Sequence, residues 1–274
     1  MVKPGDRRNI VAYLHRTFQV SVTRACQTTG LAKSVYYYRS CKDDSMVIDK
    51  LSELAQSKPT RGFPYYYRRI RNEGLVWNHK RVKRVYDIMK LNLRRKRKRR
   101  LAARSKEALH QPATHNHTWS MDFMHDTLSN GRKVRILNII DDYNREALMV
   151  RPDYSHSGHS VMRAIEQIMD WRGKPAAIRC DNGPEFLSNV LVGFCSQQGI
   201  RLQYIQPGKP TQNAYIERFN RSYREDILNA YYFESLWELE EFSQTWMQEY
   251  NELHPHQSLK NMSPLKYLKI NHQL

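Results

Sequence analysis

Cysteine is scarce, with Cys26, Cys41, Cys180 and Cys195 the only four in 274 residues. None belongs to a Cys-x-x-Cys pair, which argues against a zinc knuckle. The opening stretch MVKPGDRRN lacks the apolar centre of a secretory signal. A disulfide framework is therefore not expected, and the thiols read as reduced side chains of a cytoplasmic protein. Long apolar runs are also missing. Nothing approaches the ~20 residues that span a bilayer, so a membrane is not among the expected partners. Acidic residues are rare in one part of the chain only. Residues 1–100 carry 26 Lys and Arg against 7 Asp and Glu, and residues 101–274 carry 19 against 20. Essentially all of the net charge of +18 therefore sits in the first hundred residues. Charge of that size and placement points to a polyanion, nucleic acid above all, bound by a basic front half ahead of a near-neutral half rich in carboxylates.

Periodicity divides the front half into helices. Ile10, Val11, Leu14 and Phe18 share a helical spacing over 7–18. Ser21 is placed to cap a short helix that ends near Gly30, and a third helix is expected over about 32–39. Two short helices around a glycine turn read as a helix-turn-helix. A further amphipathic helix covers 44–57. The stretch 65–90 then reads as helix, turn at Gly74, N-cap at Asn78 and a second helix, with Lys80, Arg81, Lys83 and Arg84 lying mostly off its apolar face. This is a second helix-turn-helix candidate, and those four side chains are candidate DNA contacts. Arg94, Arg95, Lys96, Arg97, Lys98, Arg99 and Arg100 form an unbroken basic run. Such runs repel themselves and are commonly solvated tails; beside two DNA-binding candidates, phosphate contact is the better reading.

Beyond residue 112 the pattern changes. Strands are expected over 118–127, 134–141 and 146–152, with Asn130-Gly131 as a hairpin signal. A helix over 159–173, a strand over 176–180, a helix near 187–198, a strand over 201–205 and a helix over 213–228 follow. The expected class is α/β, with an all-α region in front. The divisions are 1–43 and 44–93 for the two helix-turn-helix segments, 94–112 for a basic linker, 113–230 for the strand-bearing core and 231–274 for its helical extension.

Three carboxylates stand at informative places in that core. Asp122 lies within the first strand, Asp181 directly follows the apolar strand AAIRC, and Glu217 lies in the first turns of a helix, with 35 residues between the last two. Phosphodiester cleavage needs both the attacking and the leaving oxygen stabilised, which two divalent ions about 3.5–4 Å apart achieve. Mg²⁺ favours such hard oxygen ligands.

The stretches SMDFMHD, IRCDNGPEF and QNAYIERFNRSYRE resemble the three catalytic blocks of the Asp-Asp-(35)-Glu transposases and retroviral integrases. The nearest resemblance is to the second-frame protein of the insertion-sequence-three family of bacterial mobile elements. The tail YNELHPHQSLKNMSPLKYL and the segment RGFPYYYRRI…HKRVKRVYDIMK resemble that family too, so nearly the whole chain is covered. The resemblance implies a ribonuclease-H-like integrase core with a mixed five-stranded sheet. It implies that Asp122, Asp181 and Glu217 bind two Mg²⁺ ions, for which Mn²⁺ can substitute, and that Arg224 contacts DNA phosphate. It also implies strand cleavage to a 3′-hydroxyl followed by strand transfer. The partners implied are double-stranded DNA, further copies of the chain on DNA, and an upstream-frame helix-turn-helix protein. The sequence departs from the family at His254, where arginine usually precedes Pro-His.

Simpler roles compete for several residues. Asp126, Asp141 and Asp142 are alternatives for the first ligand, although Asp141-Asp142-Tyr143 reads as a strand end turning at Asn144. Glu185 reads as a loop carboxylate, Asn213 as an N-cap, Cys180 as a small core side chain, and Gly183 as a turn former that permits close backbone geometry. Tyr36 to Tyr38 and Tyr65 to Tyr67 read mainly as packing residues. His110, His115 and His117 lack the cysteine neighbours of a zinc site. Trp237, Leu239, Phe242 and Trp246 form the apolar pattern of a core-packing helix. Against the transposase reading stand two others: an inert, transposon-derived DNA-binding regulator, and a nuclease that only hydrolyses. The intact carboxylates weigh against the first and the helix-turn-helix candidates against the second.

Overall fold

The computed structural model describes residues 4–38, 43–93, 109, 111–206 and 210–271. The basic run 94–100, Cys41 and His110 lie outside the described residues. The chain divides into two compact units, Met1–Met46 and Val47–Leu274. No helix among the described residues is long and apolar enough to cross a membrane.

The first unit holds α1 (Pro4–Phe18), α2 (Val22–Thr29) and α3 (Lys33–Tyr37). The Ser21 hydroxyl accepts from the Arg24 amide at the start of α2, and Gly30 ends that helix at φ +61°, a conformation that costs glycine little. Val11, Ala25, Cys26 and Leu31 form the core, with Tyr36 packed against it. Tyr37 and Tyr38 are exposed. Packing thus holds for one of these three tyrosines, because α3 is five residues long and turns one narrow face inward.

The second unit begins with α4 (Ser45–Ser57), α5 (Phe63–Asn72) and α6 (His79–Ile88), which enclose Leu51, Leu54, Tyr66, Ile70, Val82, Val85 and Tyr86. Asn78 caps α6 by accepting from the Lys80 amide at 2.8 Å, and Gly74 turns the chain at φ +88°. Tyr66 is buried and donates to the Lys58 carbonyl, while Tyr65 and Tyr67 pack at the margin of the same core.

A mixed sheet follows, built from β1 (Thr118–Thr127), β2 (Lys133–Asp141), β3 (Ala147–Asp153), β4 (Ala177–Cys180) and β5 (Arg201–Tyr204). The spatial order is β3-β2-β1-β4-β5; β1 to β3 are antiparallel, and β4 and β5 run parallel to β1. The Asn130-Gly131 signal lies in a loop spanning Leu128 to Arg132, closed by the Leu128 amide on the Arg132 carbonyl at 2.9 Å. The parallel strands require crossovers, supplied by α7 (Gly158–Arg172) and α8 (Asn189–Gln197).

Strand alternation sorts the sheet's two faces. Trp119, Met121, Leu137, Ile139 and Met149 join α7 and α8 in one core. Met124, Val134, Ile136, Ile140 and Val150 join the other. That second face is covered by α9 (Ala214–Tyr223) through Ile216, Phe219 and Tyr223, and by α10 (Leu236–Leu253) through Leu239, Trp246 and Tyr250. Trp237 stays exposed and Phe242 lies at the margin of exposure. Edge strand β3 is closed by Asn251 of α10, whose side chain both accepts from the Ala147 amide and donates to the Ala147 carbonyl, each at 2.8 Å. Such a clamp blocks further strand pairing at that rung. The chain ends its described course in α11 (Pro264–Asn271).

Two local expectations are corrected. Asn213 is not a capping side chain. A 3₁₀ turn (Pro210–Asn213) leads into α9 and leaves Asn213 at φ −116°, ψ 26°, outside the extended region from which a cap reaches forward; its Oδ1 is buried without a partner. The helix expected over 213–228 is also not uniform. After Tyr223 it widens into a π turn, Arg224–Leu228, a feature that often accompanies functional sites.

Candidate active site

Asp122 lies on the sheet face covered by α9, in the same alternation phase as Met124 and directly opposite Asn138 of β2. The last paired rung between β1 and β4 is Ser120 with Arg179. Two residues beyond it on each strand stand Asp122 and Asp181, at neighbouring positions where the parallel pair ends. Glu217 is in the first turn of α9 and exposed, and Asn220, three residues on along the same helix face, donates to Asp122 Oδ2 at 2.8 Å.

The electrostatics tie these elements together. Burial pushes the Asp122 carboxyl up to about 6, and the negative charges of Asp181 and Glu217 push the same way, against the Phe123 amide and the Asn220 amide. Among the described residues, neutral amides hydrogen-bond Asp122 and Asp181: Phe123 N to Asp122 Oδ1 at 2.9 Å, Asn220 Nδ2 to Oδ2, and Gly183 N to Asp181 Oδ1 at 3.0 Å. Among the described residues, no three acidic, histidine or cysteine side chains already enclose one point as a metal cage would.

The competing carboxylates behave differently. Asp142 is fully buried and bound by Arg179 and by the Ser120 hydroxyl at 2.6 Å. Asp141 and Glu146 share Arg172, with Nη2 at 3.6 and 2.6 Å. All three line the turn between β2 and β3, where Arg145 adopts φ +61° and lays its guanidinium 3.5 Å above the Tyr215 ring of α9. Buried carboxylates paired this way hold a turn together.

The loop after Asp181 is anchored from two sides. Arg135 of β2 pairs with Glu185 and stacks 4.2 Å over Phe123. Phe123 stacks in turn on Phe186, with ring centroids 4.9 Å apart. Arg135 holds Glu185 below the usual carboxylate range. A Cβ on Gly183 would stand 3.1 Å from Asp181 Oδ1, so the absence of a side chain keeps that contact short. Cys180 is a buried core thiol, pushed by burial up to about 12 and so held protonated.

Arg224 extends from the start of the π turn to donate to the His125 carbonyl at 2.8 Å, with Asp126 at 3.7 Å. Its side chain remains 41% exposed. Lys80 and Lys83 line a depression on α6 with His79, Arg84 and Ile88; Lys83 pairs with Asp87 one turn on. His254 is buried against Tyr65, Tyr250 and His256.

Two family models described as Integrase core domain match residues 112–210 and 198–264. Over 250 residues the chain is 39% identical to a 31.7 kDa protein of insertion element IS407 from Burkholderia multivorans, covering 90% of each. The chain belongs to the integrase-core family of insertion-element transposases. A 39.2 kDa protein of insertion element IS476 from Xanthomonas euvesicatoria is 34% identical over 266 residues, 96% of this chain and 77% of that one. Among solved structures, the integrase catalytic core of human T-cell leukemia virus 2, in complex with magnesium, is 21% identical with a TM-score of 0.42, covering 56% of this chain and 95% of that one. As a transposase the chain is a polynucleotidyl transferase, and the reading as an inert regulator is not favoured. Asn138 and Asn220 were not legible as site residues. The available signal was a polar residue in the apolar phase of VRILNIID, and it acquires meaning only once register is known.

Proposed function

We propose that Asp122, Asp181 and Glu217 hold the two divalent metal ions, Mg²⁺ with Mn²⁺ as substitute, with which this transposase cuts and joins DNA. The observation that carries the proposal is the contrast among buried carboxylates. Asp141, Asp142 and Glu146 have arginine partners, whereas Asp122 faces two further carboxylates and, among the described residues, accepts from two amides. Leaving a charge in a half-buried site without a counter-ion costs several kcal/mol, while each fully buried large apolar side chain contributes only about 1.5–3 kcal/mol. Hard oxygen donors with uncompensated charge fit a divalent cation. When bound, such ions stabilise charge on the attacking and leaving oxygens of a phosphodiester.

The protein's own residues do the rest. The Arg135–Glu185 pair and the Phe123–Phe186 stack fix the loop bearing Asp181. The α9 core contacts of Ile216 and Phe219 fix the helix bearing Glu217. Arg224 lies exposed on the same side of β1 and contacts a DNA phosphate. Lys80, Arg81, Lys83 and Arg84 of α6, with the basic run 94–100, bind duplex phosphates in the front half, where α2–α3 and α5–α6 serve as helix-turn-helix modules. Cleavage leaves a 3′-hydroxyl at the element end. In joining, that oxygen bonds to a target phosphorus as the target's own P–O3′ bond breaks, so no external energy source is required. The chain acts in the bacterial cytoplasm as an oligomer on DNA, with an upstream-frame partner where the element encodes one.

Strand joining in reverse on a branched DNA, with Mg²⁺ or Mn²⁺, tests the site directly because it asks little of end recognition. Wild type forms product and Glu217→Gln does not, while duplex affinity stays within about twofold. Equal activity in the two proteins would refute the assignment.

A further inference from the structure

On the sheet face covered by α9, Asp122 and Asn138 stand side by side among Met124, Ile136, Ile140 and Val150. Asn138 is fully buried in the centre of β2, flanked across the rung by Asp122 on one side and Val150 on the other. Its Nδ2 donates to Asn220 Oδ1 at 2.7 Å, and Asn220 Nδ2 donates to Asp122 Oδ2 at 2.8 Å. We propose that Asn138 and Asn220 form a directional relay that sets the orientation of the Asp122 carboxylate for metal binding, which makes both of them positioning residues. The proposal rests on the assignment of Asp122 to the metal site.

The polarity of the relay is determined at its end. A carboxylate only accepts, so Asn220 must present its nitrogen to Asp122 and its oxygen to Asn138, and Asn138 must then present its nitrogen. Reversing either amide would set oxygen against oxygen. With Oδ2 held by Asn220 and Oδ1 by the Phe123 amide at 2.9 Å, the plane of the carboxylate is fixed and one lone pair on each oxygen remains for a cation. Outer partners of this kind orient metal ligands and tune their affinity.

A purely structural role fits Asn138 poorly. Its Oδ1 is buried without a hydrogen-bond partner, so this amide is only half satisfied. An apolar side chain of similar size would leave no polar atom stranded between Asp122 and Val150. The residue therefore serves the fold less well than leucine would, and what it supplies is the donor to Asn220. Asn220 lies one turn beyond Glu217, so the same relay ties α9, which carries Glu217, to β1, which carries Asp122.

The test uses full-length wild type, Asn138→Leu, Asn220→Ala, the double variant and Asp122→Asn. Each is titrated with Mn²⁺, free Mn²⁺ is read by electron paramagnetic resonance, and thermal melts are run in parallel. Each single asparagine variant is expected to bind Mn²⁺ about 10- to 100-fold more weakly than wild type. The double variant is expected to be no weaker than the weaker single, because both changes cut one relay. Asn138→Leu should melt no lower than wild type. Asparagine variants that bind as wild type does, or losses that multiply in the double variant, would overturn the relay while leaving the site intact, provided Asp122→Asn has lost binding. Asp122→Asn binding as wild type does, or no saturable binding by wild type, would overturn the site and the relay with it. Asn220→Ala, at a half-exposed helix position, keeps the test decisive if Asn138→Leu does not fold.

Discussion

Arg61 grips Asp226 through two parallel hydrogen bonds, Nε to Oδ1 at 2.9 Å and Nη2 to Oδ2 at 2.8 Å, and so joins the loop before α5 to the π turn that continues α9. Trp246 of α10 donates to the same carboxylate at 3.0 Å. Asp226 therefore pins three segments, with its side chain 1% exposed and that of Arg61 11% exposed. Asp226→Ala should destabilise the protein by about 3–5 kcal/mol, mostly by stranding the guanidinium. Combining Arg61→Met with Asp226→Leu should recover most of that loss. Denaturant midpoints of Asp226→Ala and of the double variant would decide it; a double variant as unstable as Asp226→Ala would show that the pair's hydrogen-bond geometry, and not an orphaned charge, is what matters.

The His254–His256 pair should contribute stability that is lost as pH drops below about 6.5. His254 is buried and His256 half-buried, with ring centroids 5.0 Å apart. Burial first, then the positive charge of Arg145, Arg218 and Arg61, pushes His256 down to about 3, and His254 lies well below its ordinary value. Unfolded histidine takes up a proton near 6.5, and the folded protein resists doing so until far lower pH. The unfolded state thus binds more protons throughout that window, and stability declines by about 1.4 kcal/mol per pH unit for His256 alone. Asp122 and Asp142, each raised by burial to about 6, act in the opposite direction. The informative measurement is therefore the difference in melting temperature between pH 7.5 and 5.5 for wild type against His256→Gln, with the larger drop expected in wild type. Equal drops would remove His256 as the cause.

Gly158 opens α7 where Ser188 caps α8. A Cβ there would stand 2.0 Å from Ser188 Oγ and 2.7 Å from its Cβ, while that hydroxyl caps the Leu191 amide and donates to the Glu185 carbonyl at 2.8 Å. Gly158→Ala should therefore cost more than the few tenths of a kcal/mol usual at an exposed helix start, about 2 kcal/mol or more. It should also lower strand joining through Glu185 and the Asp181 loop. A thermal melt indistinguishable from wild type would show that Ser188 can move without consequence.

Lys80 is exposed in the first turn of α6. As a phosphate contact, its loss should weaken binding evenly across DNA sequences. The slope of log affinity against log salt should become shallower by at most about 0.9. Anisotropy titrations of Lys80→Ala from low to moderate salt would read this directly; a change in sequence preference with the slope intact would instead make Lys80 a base-reading residue.

Much of the architecture could be read because period and punctuation agreed. The strand over 118–127, the glycine turns at Gly30 and Gly74, and the caps at Ser21 and Asn78 each follow from short-range chemistry. What escaped depends on three-dimensional register. Asn213 carries a capping residue's identity, yet the 3₁₀ turn ahead of it withdraws the geometry a cap needs. The π turn leaves no compositional mark in REDIL, since it answers to the packing of Asp226 against Arg61 and Trp246 from distant segments. The relay from Asn138 requires knowing that β2 places this residue opposite Asp122.

The half-satisfied amide of Asn138 sets folding and catalysis at odds. A residue that the fold would exchange for leucine persists only while joining activity is selected. In a copy of the element released from that selection, substitutions at Asn138 and Asp122 would be tolerated or even stabilising, whereas Arg61 and Asp226 would stay under constraint because losing either one alone strands its buried partner. Decay should therefore begin at the chemistry and leave the scaffold standing, so that silent copies accumulate as well-folded, DNA-binding proteins able to occupy the ends on which an active copy must act.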